Sequence, residues 1–87
     1  MRESLIVEAV VEFAERLGWL CRKMIYAGRK GCPDYHFYKN GVLIMVEFKA
    51  TGKDRDGLQV REARKLAEHG FKVHVIDDIA TGCSLFV

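Results

Sequence analysis

Glu47, Phe48 and Lys49 put a carboxylate and an amine two residues apart, on one face if the segment is a β-strand. The run before them, Val42-Leu43-Ile44-Met45-Val46, is wholly apolar. Charged groups at the end of such a strand are costly unless paired, hydrogen-bonded or set on a metal. An ion pair between Glu47 and Lys49 is one reading. Asp34 opens another, because it follows Gly31-Cys32-Pro33, a glycine that permits a tight turn and a proline that stiffens the entry to the next strand. A short hairpin would bring Asp34 to the Glu47 end of the neighbouring strand. Two converging carboxylates repel each other, and Mg²⁺ or Mn²⁺ relieves that repulsion with hard oxygen ligands. A lysine beside them orients or deprotonates water, or stabilises charge developing on a scissile phosphate. Viewed alone, Asp34 also reads as a turn-initiating aspartate.

Two further polar residues sit where apolar ones are expected. At ~100° per residue, the apolar positions of the first helix centre on one side, and Glu3 lies within roughly 60° of that centre. Glu8, Glu12 and Glu15 lie at least about 120° away. Glu3 is therefore the third carboxylate candidate, against the plainer reading of a frayed N-terminal residue favoured by the helix dipole. Gln59 shares a helical face with Ala63 and Leu66. It also completes Asp56-x-x-Gln59, a variant capping box, and the two roles are compatible.

These residues need elements to hold them. Leu5, Ile6, Ala9, Val10, Phe13, Ala14 and Leu17 recur at helical spacing, predicting a helix over 3–17 stopped by Gly18. A strand is expected over Trp19–Ile25, then a polar turn through Gly28-Arg29-Lys30-Gly31. Strands 35–38 and 42–49 flank Lys39-Asn40-Gly41, a hairpin signal, and the second, apolar on both faces, suits a central position. Asp56 caps a second helix over 58–69, stopped by Gly70, before a strand over 71–76. Beyond it, Asp77 or Asp78 suits the cap of a short helix, and Ser84–Val87 an edge strand or a docked tail. The order is helix, strand, strand, strand, helix, strand. It implies a single α/β domain over 1–87 with a mixed sheet, parallel across the second helix and antiparallel across the hairpin.

Bulk properties narrow the partners. The longest apolar run is too short to span a bilayer, and Glu3 and Glu8 interrupt any signal-peptide core, so a cytoplasmic chain with no membrane partner is expected. Cys21, Cys32 and Cys83 form no Cys-x-x-Cys pair and read as free thiols. Cys32 and His36 with Cys83 or His74 match no common zinc spacing. The net charge is only +2, but residues 19–72 hold twelve Lys/Arg against six Asp/Glu. Such an excess favours a polyanion contacted through the middle of the chain. Arg29 and Lys30 precede Asp34, Lys53 and Arg55 follow Lys49, and Arg61, Arg64 and Lys65 lie on the second helix. Of these, Arg29, Lys30, Lys53, Arg55, Arg61 and Lys65 are the candidate phosphate contacts. A merely solvated basic surface is the plainer alternative.

Glu3, Gly31-Cys32-Pro33-Asp34, Glu47-Phe48-Lys49 and Gln59, in this order, resemble the VRR-NUC family (virus-type replication-repair nuclease) of the PD-(D/E)xK superfamily. The likeness covers nearly the whole chain and implies a restriction-endonuclease-like core. It also implies that Asp34 and Glu47 bind Mg²⁺ or Mn²⁺ with the Phe48 backbone carbonyl. Glu3 would reach the ion through water, Lys49 would position the attacking water, and Gln59 would order Lys49 or the substrate. Cys32 and His36 depart from the aliphatic residues expected there, and His36 shares strand parity with Asp34. Short stand-alone members occur in phages and bacteria, and those similar to this chain are expected to be homodimers acting on branched DNA, notably four-way junctions. No small-molecule cofactor is expected. Cleavage of flaps or forks is the alternative substrate reading, and a catalytically silent DNA-binding module with the nuclease fold is the alternative outside the enzymes.

Overall fold

The computed structural model describes residues 1–87. Helix α1 runs over Glu3–Arg16 and buries Ile6, Val10 and Ala14, one residue per turn along a single line. It stops as its glycine predicts: with Gly18 at φ 92°, the Gly18 and Trp19 N–H groups donate to the Glu15 and Ala14 carbonyls, both at 3.0 Å. That commitment takes Trp19 out of the first strand. Strand β1 is Leu20–Lys23, shorter than the expected Trp19–Ile25, and Ile25 is 93% exposed.

Strand β1 pairs antiparallel with β2 (Tyr35–Lys39), which pairs antiparallel with β3 (Val42–Phe48). Asn40 (φ 49°) and Gly41 (φ 76°) close the β2–β3 hairpin with two positive-φ residues, the twist-matched turn that Asn-Gly favours. Helix α2 (Gly57–Glu68) then crosses over to β4 (Val73–Ile76), parallel to β3. The sheet order is β1-β2-β3-β4, which puts β3 inside as its two-sided apolar character requires. Strand β4 begins at Val73 rather than Phe71, because the Gly70 and Phe71 N–H groups donate to Ala67 and Leu66 (3.0 and 2.9 Å) and terminate α2.

The C-terminal segment forms α3 (Ile79–Ser84), capped by Asp78, whose Oδ1 accepts the Thr81 N–H at 2.8 Å. Asp77 instead ties down the loop after β3, accepting the Gly52 N–H at 3.1 Å and, through its carbonyl, the Thr51 hydroxyl at 2.8 Å. The edge-strand alternative for 84–87 is not realised; the tail docks. A Cβ on Gly82 would lie 2.7 Å from Val10, so only glycine lets α3 lie this close to α1. That approach carries Phe86 into the core, edge-on to Trp19 at 5.4 Å and tilted against Phe37 at 4.5 Å. The Trp19 indole N–H donates to the Phe86 carbonyl at 3.3 Å.

The two faces of the sheet divide the labour. Phe37, Val46, Phe48 and Ile76 point to the α1/α3 side and, with Ile6, Val10, Ala14 and Phe86, make the hydrophobic core. The alternate residues, Asp34, His36, Tyr38, Met45 and Glu47 among them, face the other way. That second face is covered only in part, since α2 buries none of its residues fully.

Candidate active site

Glu47 is 2% exposed, and both its carboxylate oxygens lack any hydrogen-bond partner. Burial pushes its carboxyl up to about 7; Arg55 and Lys49 pull it back, and Asp34 and Asp56 add to the rise. A carboxylate this deep and this unpartnered is expensive, and such groups concentrate where something is to be bound. The strand-end ion pair with Lys49 is not formed: the sole ion pair of the chain is Arg29–Glu62 at 3.5 Å, on the surface.

The β2–β3 register pairs Tyr35 with Val46, so one step on, Asp34 stands across from Glu47 on the same face. Side chains so placed have Cβ atoms about 4.5–5.5 Å apart. The Asp34 carbonyl accepts the Met24 N–H at 2.7 Å, which extends the β1–β2 ladder to this residue. Burial raises the Asp34 carboxyl, against a backbone hydrogen bond and the charges of Lys23 and Lys49. Lys49 thus acts electrostatically on both carboxylates, and its own N–H holds the strand end by donating to Ile76 at 2.8 Å.

The turn that delivers Asp34 is built from backbone needs. Gly31 sits at φ 85°, and a Cβ there would meet the Leu58 carbonyl at 2.5 Å, so the turn rests directly on the first turn of α2. Pro33 is fully buried. On the same face His36 is held at both ring nitrogens, Nδ1 2.9 Å from the Tyr38 hydroxyl and Nε2 2.9 Å from the Tyr26 hydroxyl. A neutral ring donates at one nitrogen and accepts at the other, and burial keeps His36 below its ordinary pKa. His36 therefore serves as a fastener between the 24–33 segment and the sheet, with no lone pair left for a metal. The pattern of His36 and Tyr38 at alternate positions carried this signal; the Tyr26 partner, across a loop, was not visible in spacing.

Glu3 lies three residues before Ile6 on the buried line of α1, but it is exposed and without a partner in the chain. At the first residue of a helix no further turn covers it. The Thr51 N–H nevertheless donates to the Met1 carbonyl at 3.0 Å, so the start of α1 lies against the loop that follows Lys49. Gln59 makes the capping box in full: its Oε1 accepts the Asp56 N–H at 3.0 Å and the Asp56 carboxylate accepts the Gln59 N–H at 2.9 Å. Its amide NH₂ has no partner in the chain.

Hard oxygen donors from Asp34 and the orphaned Glu47 fit a divalent cation of the Mg²⁺ or Mn²⁺ type. No group of three His, Cys, Asp or Glu side chains converges anywhere, so two carboxylates are what the side chains offer. The cysteines are free and far from a zinc arrangement. Phe48 keeps its ring in the core, edge-on to Tyr35 at 5.1 Å, leaving only its backbone near Glu47.

Four of the six candidate phosphate contacts, Arg29, Lys30, Arg61 and Lys65, line one cleft of about 220 Å³ beside α2. Arg55 lies on the other flank of α2, in a larger groove with Arg64 and Lys72, and Lys53 is exposed in the loop between. No helix is long and apolar enough to cross a membrane.

No protein-family model matches the chain. A phage protein described as "Putative nuclease p44", from Acyrthosiphon pisum secondary endosymbiont phage 1, is 35% identical over 78 residues, 88% of this chain and 84% of the relative. A solved structure described as a VRR_NUC domain superimposes with a TM-score of 0.87 at 32% identity, over 95% of this chain and 91% of the other. With that likeness along nearly the whole length, and two carboxylates and a lysine gathered on the face of the sheet away from the core, the chain belongs to the VRR-NUC family of PD-(D/E)xK nucleases.

Proposed function

We propose that the chain is a Mg²⁺- or Mn²⁺-dependent, structure-specific endonuclease that hydrolyses phosphodiester bonds in branched DNA, with the four-way junction as its substrate. The observation that carries this reading is the buried Glu47 carboxylate, unpartnered at both oxygens and opposite Asp34. Asp34 and Glu47, with the Phe48 backbone carbonyl, would hold the cation. When bound, a divalent cation neutralises charge on the scissile phosphate and makes water more acidic. Lys49, two residues on from Glu47 and on the same strand face, orients the attacking water and meets the negative charge that grows on the phosphate. Glu3 contributes through water from the open end of α1. Gln59, its position fixed by the capping box, presents its free amide NH₂ to Lys49 or the substrate. The basic cleft of Arg29, Lys30, Arg61 and Lys65 supports backbone contacts to duplex DNA, since phosphate contacts position a duplex without reading its sequence, with Lys53 in the loop before α2 and Arg55 on its other flank as further phosphate contacts.

A homodimer suits a four-way junction, because two sites related by a two-fold axis cut two strands. The uncovered apolar patch of Leu20, Tyr38, Val42 and Leu43 at the hairpin end of the sheet supports a second copy there.

The decisive experiment is cleavage of labelled junction, flap, fork, linear duplex and single strand by the purified protein in Mg²⁺, Mn²⁺ or EDTA. Paired, metal-dependent cuts on the junction are expected. Asp34→Ala and Lys49→Ala should lower the rate by at least about a hundredfold while binding persists. Preferred cutting of the flap would replace the substrate assignment, and no cutting of any substrate would leave a DNA-binding module with a nuclease fold.

A further inference from the structure

The larger groove lies between α2 and the start of β4, on the flank of α2 away from the duplex cleft. It encloses about 610 Å³, and its lining holds three cations, Arg55, Arg64 and Lys72, and no carboxylate. Its apolar wall includes Val60 and Ala63, and at its end stands Phe71, 51% exposed. Phe71 is there because its N–H terminates α2, which removes it from β4 and leaves its ring unpaired on the surface.

We propose that this groove binds an unpaired strand of branched DNA, with Arg55, Arg64 and Lys72 on its phosphates and Phe71 stacked on a base. The inference rests on the nuclease reading but not on the four-way junction, whose arms are all paired: it concerns branched substrates with an unpaired strand, flaps and forks, and gives the two flanks of α2 different partners. The duplex cleft has four cations, one of them paired with Glu62 on its wall, and no aromatic ring, as backbone contact needs. The second groove adds an exposed aromatic face and apolar wall to its cations, the combination by which single strands are held. A protein segment is disfavoured as occupant by three cations without a counter-charge, which a polyanion supplies. With duplex on one side and single strand on the other, α2 stands as the ridge between them, and its N-terminal turn rests on the Gly31–Asp34 turn.

The test is binding in EDTA, where no cleavage occurs, of blunt duplex and of the same duplex with a single-stranded tail carrying 2-aminopurine beside the branch. The wild-type chain should prefer the tailed duplex and change the probe's emission by stacking. Phe71→Leu keeps the backbone N–H that terminates α2 and an apolar side chain but removes the ring, and should lower the preference roughly tenfold, while Phe71→Tyr restores it. Arg64→Ala with Lys72→Ala should reduce the salt dependence of tailed-duplex binding by about two counterions. The proposal is overturned by a wild-type chain without tail preference, by an unchanged preference in Phe71→Leu, or by Phe71→Leu converting a wild-type dimer to monomers in sedimentation. The last result would make the groove an interface between copies. Phe71-dependent tail preference in a chain that cuts nothing would sink the nuclease reading and leave the groove. Metal-dependent cutting with Phe71-independent binding would do the reverse.

Discussion

Glu47 has its acid strength set by burial before any ligand arrives. Its carboxyl titrates near 7 in the folded chain against 4.5 when exposed. At Glu47 the folded state therefore keeps a proton that the unfolded state has lost between those values, so the Glu47 contribution to stability falls as pH rises through that window, while His36 and His74, held below their ordinary pKa by burial, contribute in the opposite sense. The effect is on the order of 3 kcal/mol at its limit. In thermal melts of the metal-free protein, the midpoint of the wild type relative to Glu47→Gln should fall between pH 5 and pH 8. Glu47→Gln should flatten that dependence and raise stability at pH 8, and added Mg²⁺ should raise the wild type most at pH 8. The same pH dependence in Glu47→Gln as in the wild type would contradict the assignment. At this scale Asp34, Glu47 and Lys49 were legible because β-strand parity and one Asn-Gly turn fix them relative to each other. Glu3 was legible in direction but not in burial, because helical angle says nothing of whether the sheet extends past the helix end. The orphaned state of Glu47 was not legible at all, since an ion pair with Lys49 fits the same spacing.

Between elements, the contact that sets the site is Gly31 against Leu58. Gly31→Ala would combine a strained φ with a Cβ 2.5 Å from a backbone carbonyl, neither of which a flexible side chain can relieve. It should lower stability by about 2 kcal/mol or more and reduce cleavage further than the stability loss explains, because the turn carries Asp34. Denaturant melts and single-turnover cleavage would measure the two parts separately, and an unaltered melt would show that the turn yields. Element types and order were readable from periodicity and glycine stops. Their ends shifted where one N–H had two claimants: Trp19 and Phe71 were read as strand residues, but each terminates the helix before it. The tail was ambiguous because Gly82 as a contact surface for α1 is a tertiary fact, with no local signature.

For the whole molecule, a net charge of +2 understates its attraction for nucleic acid, because the bases gather on both flanks of one helix while the core side carries the acidic face of α1. Duplex binding should weaken steeply with salt. Replacing Arg61 or Lys65 by Ala should each lower the slope of log affinity against log salt by about one, with the same proportional loss for every sequence. Filter binding over a salt series checks this, and a slope that does not change would move the duplex contact elsewhere. The excess of bases in the middle of the chain was plain in the sequence. Its division into two channels was not, since neighbours on a helix diverge by ~100° per residue and only the fold shows what each then faces.

Helix α2 carries no fully buried residue. It is therefore anchored far less firmly than α1, whose inner line is closed against the sheet, and its amides should open to solvent at a small fraction of the energy that unfolds the chain. Amide hydrogen exchange should find α2 among the first protected segments to label and β3 among the last. Bound DNA, gripping both flanks of the ridge, should slow α2 selectively. The part of the molecule that sorts its substrate would then also be the part that the substrate completes.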